Sequence, residues 1–200
     1  MNGRAARLLV WVFAIQVMVS NCTVPLVVTG QTTSYHAADD GDLKLGVPIA
    51  YYDNGDGTIT DLNTKLMWEK KCKDSDSCPA GTNLHNVSNR YDWNEGIWQW
   101  IAAVNAENDG RGYAGHNDWR IPNLRELQSI INYGLPPPSV NSIFGPTGVD
   151  NYWSSTTRSD PGFESPYAWF GGTYGGVGST NKHDFEPCRS RRTVMWPLVD

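Results

Sequence analysis

The chain has 200 residues, 40% of them hydrophobic, which is one ordinary globular domain with a short extra segment and enough apolar material for a buried core. A formal charge of -5 excludes a general nucleic-acid binder, and 20 Gly, 12 Pro, 9 Trp and 9 Tyr exclude a long helical bundle. A turn-rich, aromatic-rich α+β or mostly β body remains.

The N-terminus reads as an export signal. Arg4 and Arg7 precede the apolar run 8–19, and Val28-Thr29-Gly30 offers a small-residue cleavage site. Lipidation at Cys22 is the second reading, against which stands Asn21 where a small residue is expected. An uncleaved span is disfavoured because Asn21 and Pro25 interrupt the apolar stretch. Cleavage after Gly30 removes two arginines and no acid, taking the formal charge from -5 to -7. Residues 31–46 are polar and lack periodic hydrophobics, so they are expected to form a flexible lead-in to a domain over 47–200.

The domain opens with "YYDNGDGTITDLNTKLMWEKK" at 51–71. Asn54-Gly55 and Asp56-Gly57 are strong hairpin signals; Thr58-Ile59-Thr60 and Leu66-Met67-Trp68 read as short strands around the turn Asp61-Leu62-Asn63-Thr64. Asp53, Asn54, Asp56 and Asp61 also supply oxygen ligands of the type calcium prefers. An EF-hand alignment on Gly57, however, puts Tyr52 at the first ligand position and Asn63 at the last, both wrong for that motif.

Cleavage after Gly30 leaves Cys72, Cys78 and Cys188, one of which has no partner within the chain. A Cys72–Cys78 disulfide closing a small polar loop is preferred over a bridge from either to Cys188. A zinc site combining these thiols with His85 or His183 is disfavoured, because five residues separate Cys72 from Cys78, more than a structural knuckle uses.

In "YDWNEGIWQWIAAVNAENDG", Asp92 and Glu95 have capping-box spacing. Trp93, Ile97, Trp100 or Ile101, and Val104 recur at helical spacing before Asn108-Asp109-Gly110 stops the helix. Trp98 lies off that stripe and is the aromatic here expected to face a ligand.

A second helix is read from "AGHNDWRIPNLRELQSIINYG" at 114–134. Pro122 sets the entry, Asn123 is the N-cap, Glu126 completes a capping box, and Leu124, Leu127, Ile130 and Ile131 form an apolar face ending at Gly134. Asp118-Trp119-Arg120 just before it reads as a structural clamp, with Trp119 buried and both charges engaged nearby. His116, Asp118 and Ser154 are the residue types of a hydrolytic triad, but Ser154 lacks a nucleophile-elbow context, so no enzyme is expected.

Beyond Pro136-Pro137-Pro138, strand signals follow in "NYWSSTT" with Trp153, in "YAWFGGTYGGVGST" and in "RRTVMWPLV". Gly171-Gly172 and Gly175-Gly176 mark a hairpin or close backbone approach. Two helices and a set of short antiparallel strands make an α+β domain.

"DNGDGTITDLNTKLMWEKK", "YDW", "AGHNDWRIPNLRELQSIINYG", "YWSSTT", "AWF" and the late arginines, in this order, resemble the Lcl C-terminal domain family, named for a Legionella collagen-like adhesin. The resemblance implies an exported bacterial module related to the C-type-lectin-like folds, the named adhesin binding sulfated glycosaminoglycans. The chain departs from the family pattern in two places. Cys188-Arg189-Ser190-Arg191-Arg192 stands where members commonly close with Val-Arg-x-Val-Arg, and Gly171-Gly172-Thr173-Tyr174-Gly175 replaces the usual Phe-x-Asn-Gly. No collagen-like repeat is present, so a trimeric stalk is not carried over.

The functional expectation is therefore a secreted, periplasmic or surface-located, non-enzymatic glycan-binding module. Trp98 would stack on sugar rings, while Arg189, Arg191 and Arg192, with Arg158, would pair with sulfate or carboxylate groups. The runner-up is a protein-interaction module of an envelope or secreted assembly. Both come with no membrane span in the mature chain, no nucleic-acid partner and no required cofactor.

Overall fold

The computed structural model describes residues 26–75, 77–160 and 165–189, together with the backbone of 191–193. Residues 1–25 of the expected signal over 1–30, including Cys22, lie outside the described residues.

Residues 26–30, expected as the end of the signal, are tied to the body: Val27 bridges Val47 in parallel, and Tyr133 N donates to Thr29 O at 2.8 Å. The 31–46 segment expected as a flexible lead-in carries local structure. A four-residue helix, α1 (Asp40–Leu43), forms where Asp39 caps Asp42 N, and Lys44 ends it in the left-handed region.

Strands β1 (Tyr51–Asp53), β2 (Thr58–Asp61) and β3 (Leu66–Glu69) form the expected meander, with Ile59 opposite Trp68. Next come α2 (Gly96–Gly110) and α3 (Leu124–Gln128), then a second antiparallel sheet of β4 (Asn151–Thr157), β5 (Tyr167–Gly172) and β6 (Val177–Asn181). The last strand, β7 (Arg191–Thr193), returns to the first sheet beside β3, with Met67 opposite Arg192, so the order there is β1-β2-β3-β7. The architecture is α+β, with a few helices and two small antiparallel sheets.

Strand alternation divides the interior in two. Met67 enters a cluster with Ile97, Trp100, Ile101, Val104, Trp119 and Trp153, while its neighbours Leu66 and Trp68 enter another with Ile59, Leu127, Ile130, Phe144 and Tyr152. Tyr152 and Trp153 of β4 split in the same way, so β3 and β4 are buried on both faces and join the two clusters. Trp153 Nε1 donates to Tyr91 O at 2.8 Å, which satisfies the indole in the interior.

Both helices differ from the sequence reading at their ends. Asp92 accepts from the Glu95 and Gly96 amides through its side chain, but the reciprocal bond of a capping box is absent; α2 starts one turn later, with Glu95 as N-cap. At its other end Glu107 leaves helical geometry, and Asn108 and Asp109 take positive φ, as the stop signal anticipated. The Asn123–Glu126 capping box is complete in α3. That helix ends at Gln128, short of the expected Gly134, because Ile131 bridges Val140 and Asn132 N donates to Ser139 O at 2.8 Å. Long-range pairing there replaces another helical turn.

Trp119 is buried between elements. Its amide donates to Asn105 Oδ1 at 2.8 Å, its carbonyl accepts from Asn105 Nδ2, and its indole donates to Tyr113 O. Arg120 forks onto both oxygens of Glu126 at 2.8 and 3.1 Å, and Glu126 also accepts from Asn123 N. Asp118 lies exposed beside them. One short segment thus links α2 to the N-terminus of α3.

Candidate functional site

The start of α2 meets the β5–β6 end of the second sheet at Trp93. Its amide donates to Lys182 O at 2.7 Å and its indole to Ser154 O at 2.8 Å. Lys182 in turn places its ammonium 4.2 Å from the centre of the Trp93 ring, a cation–π contact that occupies this ring. Trp98, one turn into α2, lies away from the buried stripe of Ile97, Trp100, Ile101 and Val104 and is 39% exposed. It packs edge-on to Trp93, with centroids 5.2 Å apart and planes at 88°, so one tryptophan is held rigidly by the other.

Polar groups gather beside this pair. Asn94 Nδ2 lies 3.2 Å from His183 Nδ1, and the His183 amide donates to Asn181 Oδ1. Asn94, Ser165, Pro166, Lys182 and His183 line an open cleft of about 420 Å³. Arg158 borders it: the guanidinium stacks 4.1 Å from the Tyr167 ring centre and pairs with Asp160, which also accepts from Ser165 Oγ. The bonds from Arg158 and Ser165 hold the Asp160 carboxyl below the usual carboxylate range. The arrangement places the Trp98 ring near the exposed amide of Asn94 and imidazole of His183, while the two cations are engaged within the protein, Lys182, 8% exposed, with the Trp93 ring and Arg158 with Asp160.

Two of the expected ligand residues, Trp98 and Arg158, therefore fall in one region. Arg189 does not, and its assignment to an exposed basic cluster is corrected. It is 1% exposed, donating to Glu69 O at 2.6 Å, Phe144 O at 3.0 Å and Thr147 Oγ1 at 3.1 Å. Buried carbonyls satisfy its N–H groups, and the residue fastens β3 to the 142–147 turn rather than facing a ligand. Arg191 and Arg192 contribute their backbone to β7; their side chains lie outside the described residues. Sequence reading missed Asn94, Lys182 and Ser165, and met His183 only as a zinc candidate, because their convergence comes entirely from tertiary contacts.

The alternative chemistries find their residues otherwise engaged. Ser154 is buried, and its hydroxyl donates to Trp169 O at 2.6 Å. Cys72 and Cys78 are joined in a disulfide, leaving Cys188 as a buried thiol that burial pushes above its ordinary pKa. The oxygens considered for calcium serve their own turns. Asp53 accepts from Gly55 N and pairs with Lys70, Asp56 accepts from Thr58, Asp61 accepts from Asn63 and Thr64, and Asn54 bonds Thr58 and Thr60. Among the described residues no three His, Cys, Asp or Glu side chains are placed to share a metal ion.

The family model of the Lcl C-terminal domain matches residues 57–195, more than half of the chain. No curated protein matches it.

Proposed function

The chain belongs to the Lcl C-terminal domain family, and on that premise we propose that it is an exported, non-enzymatic bacterial binding module that recognises acidic or sulfated polysaccharide. Its α+β fold, with two small sheets and short helices, is read as C-type-lectin-like. The observation that carries the proposal is the rigid Trp98–Trp93 pair beside the cleft of Asn94, Lys182 and His183, with Arg158 at its border. A partly exposed indole fixed by a partly buried neighbour stacks on a sugar ring with little loss of side-chain freedom. The exposed N–H groups of Asn94 and His183 beside it meet sulfate or carboxylate groups, as does the partly exposed Arg158 on exchanging its Asp160 partner for the ligand. The Cys72–Cys78 bridge fits an oxidising, extracytoplasmic compartment. No helix of the described residues is long and apolar enough to cross a membrane.

Calorimetric titration with a sulfated polysaccharide at low salt tests this reading. Binding should weaken as salt approaches physiological strength, where the screening length is about 8 Å. Trp98→Ala should weaken it roughly tenfold, equivalent to about 1.4 kcal/mol, with the melting temperature nearly unchanged. A parent protein that ignores every acidic polysaccharide at low salt sinks the proposal. The protein-interaction reading then takes its place, favoured by the exposed Tyr133, Leu135, Tyr174 and Val177.

A further inference from the structure

We propose that His85 is a pH-operated clasp: as an imidazolium it fastens the 84–87 segment, which pairs with the disulfide-bonded Cys72, to both β3 and the end of α2, and loss of its proton releases the α2 side.

The geometry at the ring requires two donors. Nδ1 lies 2.8 Å from Glu69 Oε1, and Nε2 lies 3.1 Å from each oxygen of Glu107. An ionised carboxylate only accepts, and a neutral imidazole carries a single N–H, so only the imidazolium satisfies both contacts. The ring is 8% exposed and stacks on Tyr113 with centroids 3.8 Å apart, which holds it in the plane that makes both bonds.

The charged groups around the ring come from three directions. Glu69 ends β3, and Lys71 beyond it places its ammonium 2.7 Å from the same Glu69 oxygen. Glu107 comes from the end of α2, and Tyr113 from the turn that follows. Arg189 and the Cys188 thiol act on Lys71, and Arg189 bonds the Glu69 carbonyl. Two carboxylates thus face the imidazole directly, against one neighbouring ammonium. Burial opposes a charge on His85, but the bond and charge of Glu69 outweigh it and the pKa is raised.

His85 lies outside the 72–78 disulfide loop, in the following segment, whose backbone pairs with Cys72. Cys72 N donates to His85 O at 3.1 Å, Val87 N donates to Cys72 O at 2.9 Å, and Asn83 Oδ1 accepts from the His85 amide. On deprotonation one N–H remains. Glu69 is fully buried and depends on its donors, so it keeps that proton, and a ring lone pair then faces the partly exposed Glu107. The Glu107 backbone is held, its carbonyl accepting from Gly112 N at 2.8 Å, so the release is a swing of its partly exposed side chain. Because the folded pKa lies above the unfolded value of about 6.5, the clasp is complete below that pH and is lost as pH rises through the folded pKa.

Ring signals of His85 in the disulfide-intact full chain, assigned by their disappearance in His85→Gln, are to be followed by NMR from acid to alkaline pH. The expected midpoint lies above 6.5, and Glu107→Gln, at a partly exposed position, should lower it by roughly one unit. Amide signals of Leu84, Asn86 and Val87 should shift in step with the ring. A midpoint at or below 6.5, an unmoved midpoint in Glu107→Gln, or loop amides that do not follow the ring each overturn the proposal.

Discussion

Replacing Arg189 by Met separates a structural arginine from a ligand-binding one. Methionine keeps much of the buried volume while removing the guanidinium and its bonds to Glu69 O, Phe144 O and Thr147 Oγ1. Phe144 O still accepts from Lys71 N at 3.3 Å, and Thr147 Oγ1 still has Gly145 O at 3.3 Å, so their losses are partial. The Glu69 carbonyl, at 2.6 Å from the guanidinium, loses its charge-assisted donor in a buried place. A bond to a charged donor contributes about 1.5–3 kcal/mol. Relief of the arginine's own desolvation offsets part of this, leaving a net cost of about 1–2 kcal/mol. For a domain of this size the melting temperature should fall by roughly 5 °C. Thermal melts and polysaccharide titration are to be run on the same preparations. A variant that melts within a degree or two of the parent while losing polysaccharide binding would refute the assignment and return Arg189 to the ligand.

Trp119→Ala should cost about 3–5 kcal/mol, as truncation of a buried aromatic does, and chemical denaturation should show it as a lower midpoint without change of slope. Reduction of the disulfide should cost about 2 kcal/mol, the value for so short a loop, and nonreduced peptide mapping of exported protein should recover Cys72 linked to Cys78; a Cys188 link to either would contradict it.

How much was legible in advance depended on distance along the chain. The Asn54-Gly55 and Asp56-Gly57 turn signals, the Asn123–Glu126 box and the Asn108-Asp109-Gly110 stop each act within a few residues, and each appears in the structure. The Cys72–Cys78 bridge joins residues six positions apart and was legible for the same reason. Membership of the family was legible because several such local features recur in one order. The extent of α3 was not, since the bridge of Ile131 to Val140 competes with further helical bonds and neither partner marks it.

The candidate site and the buried charges divide in the same way. Trp98 could be singled out because leaving a helical stripe is a property of spacing alone, and its exposure follows from that spacing. Asn94 and His183 meet across 89 positions, and no pattern in either segment announces the other. An arginine in a basic run has the same residue chemistry at the surface and in the interior. Arg189 became structural only when β3 and the 142–147 turn brought carbonyls to its N–H groups. Local sequence thus determined turns, caps, the helical stripe and the small disulfide loop, because their energies arise between near neighbours. Tertiary structure alone decided which charges were desolvated and which polar groups converged, because both depend on carbonyls, carboxylates and rings supplied from distant parts of the chain.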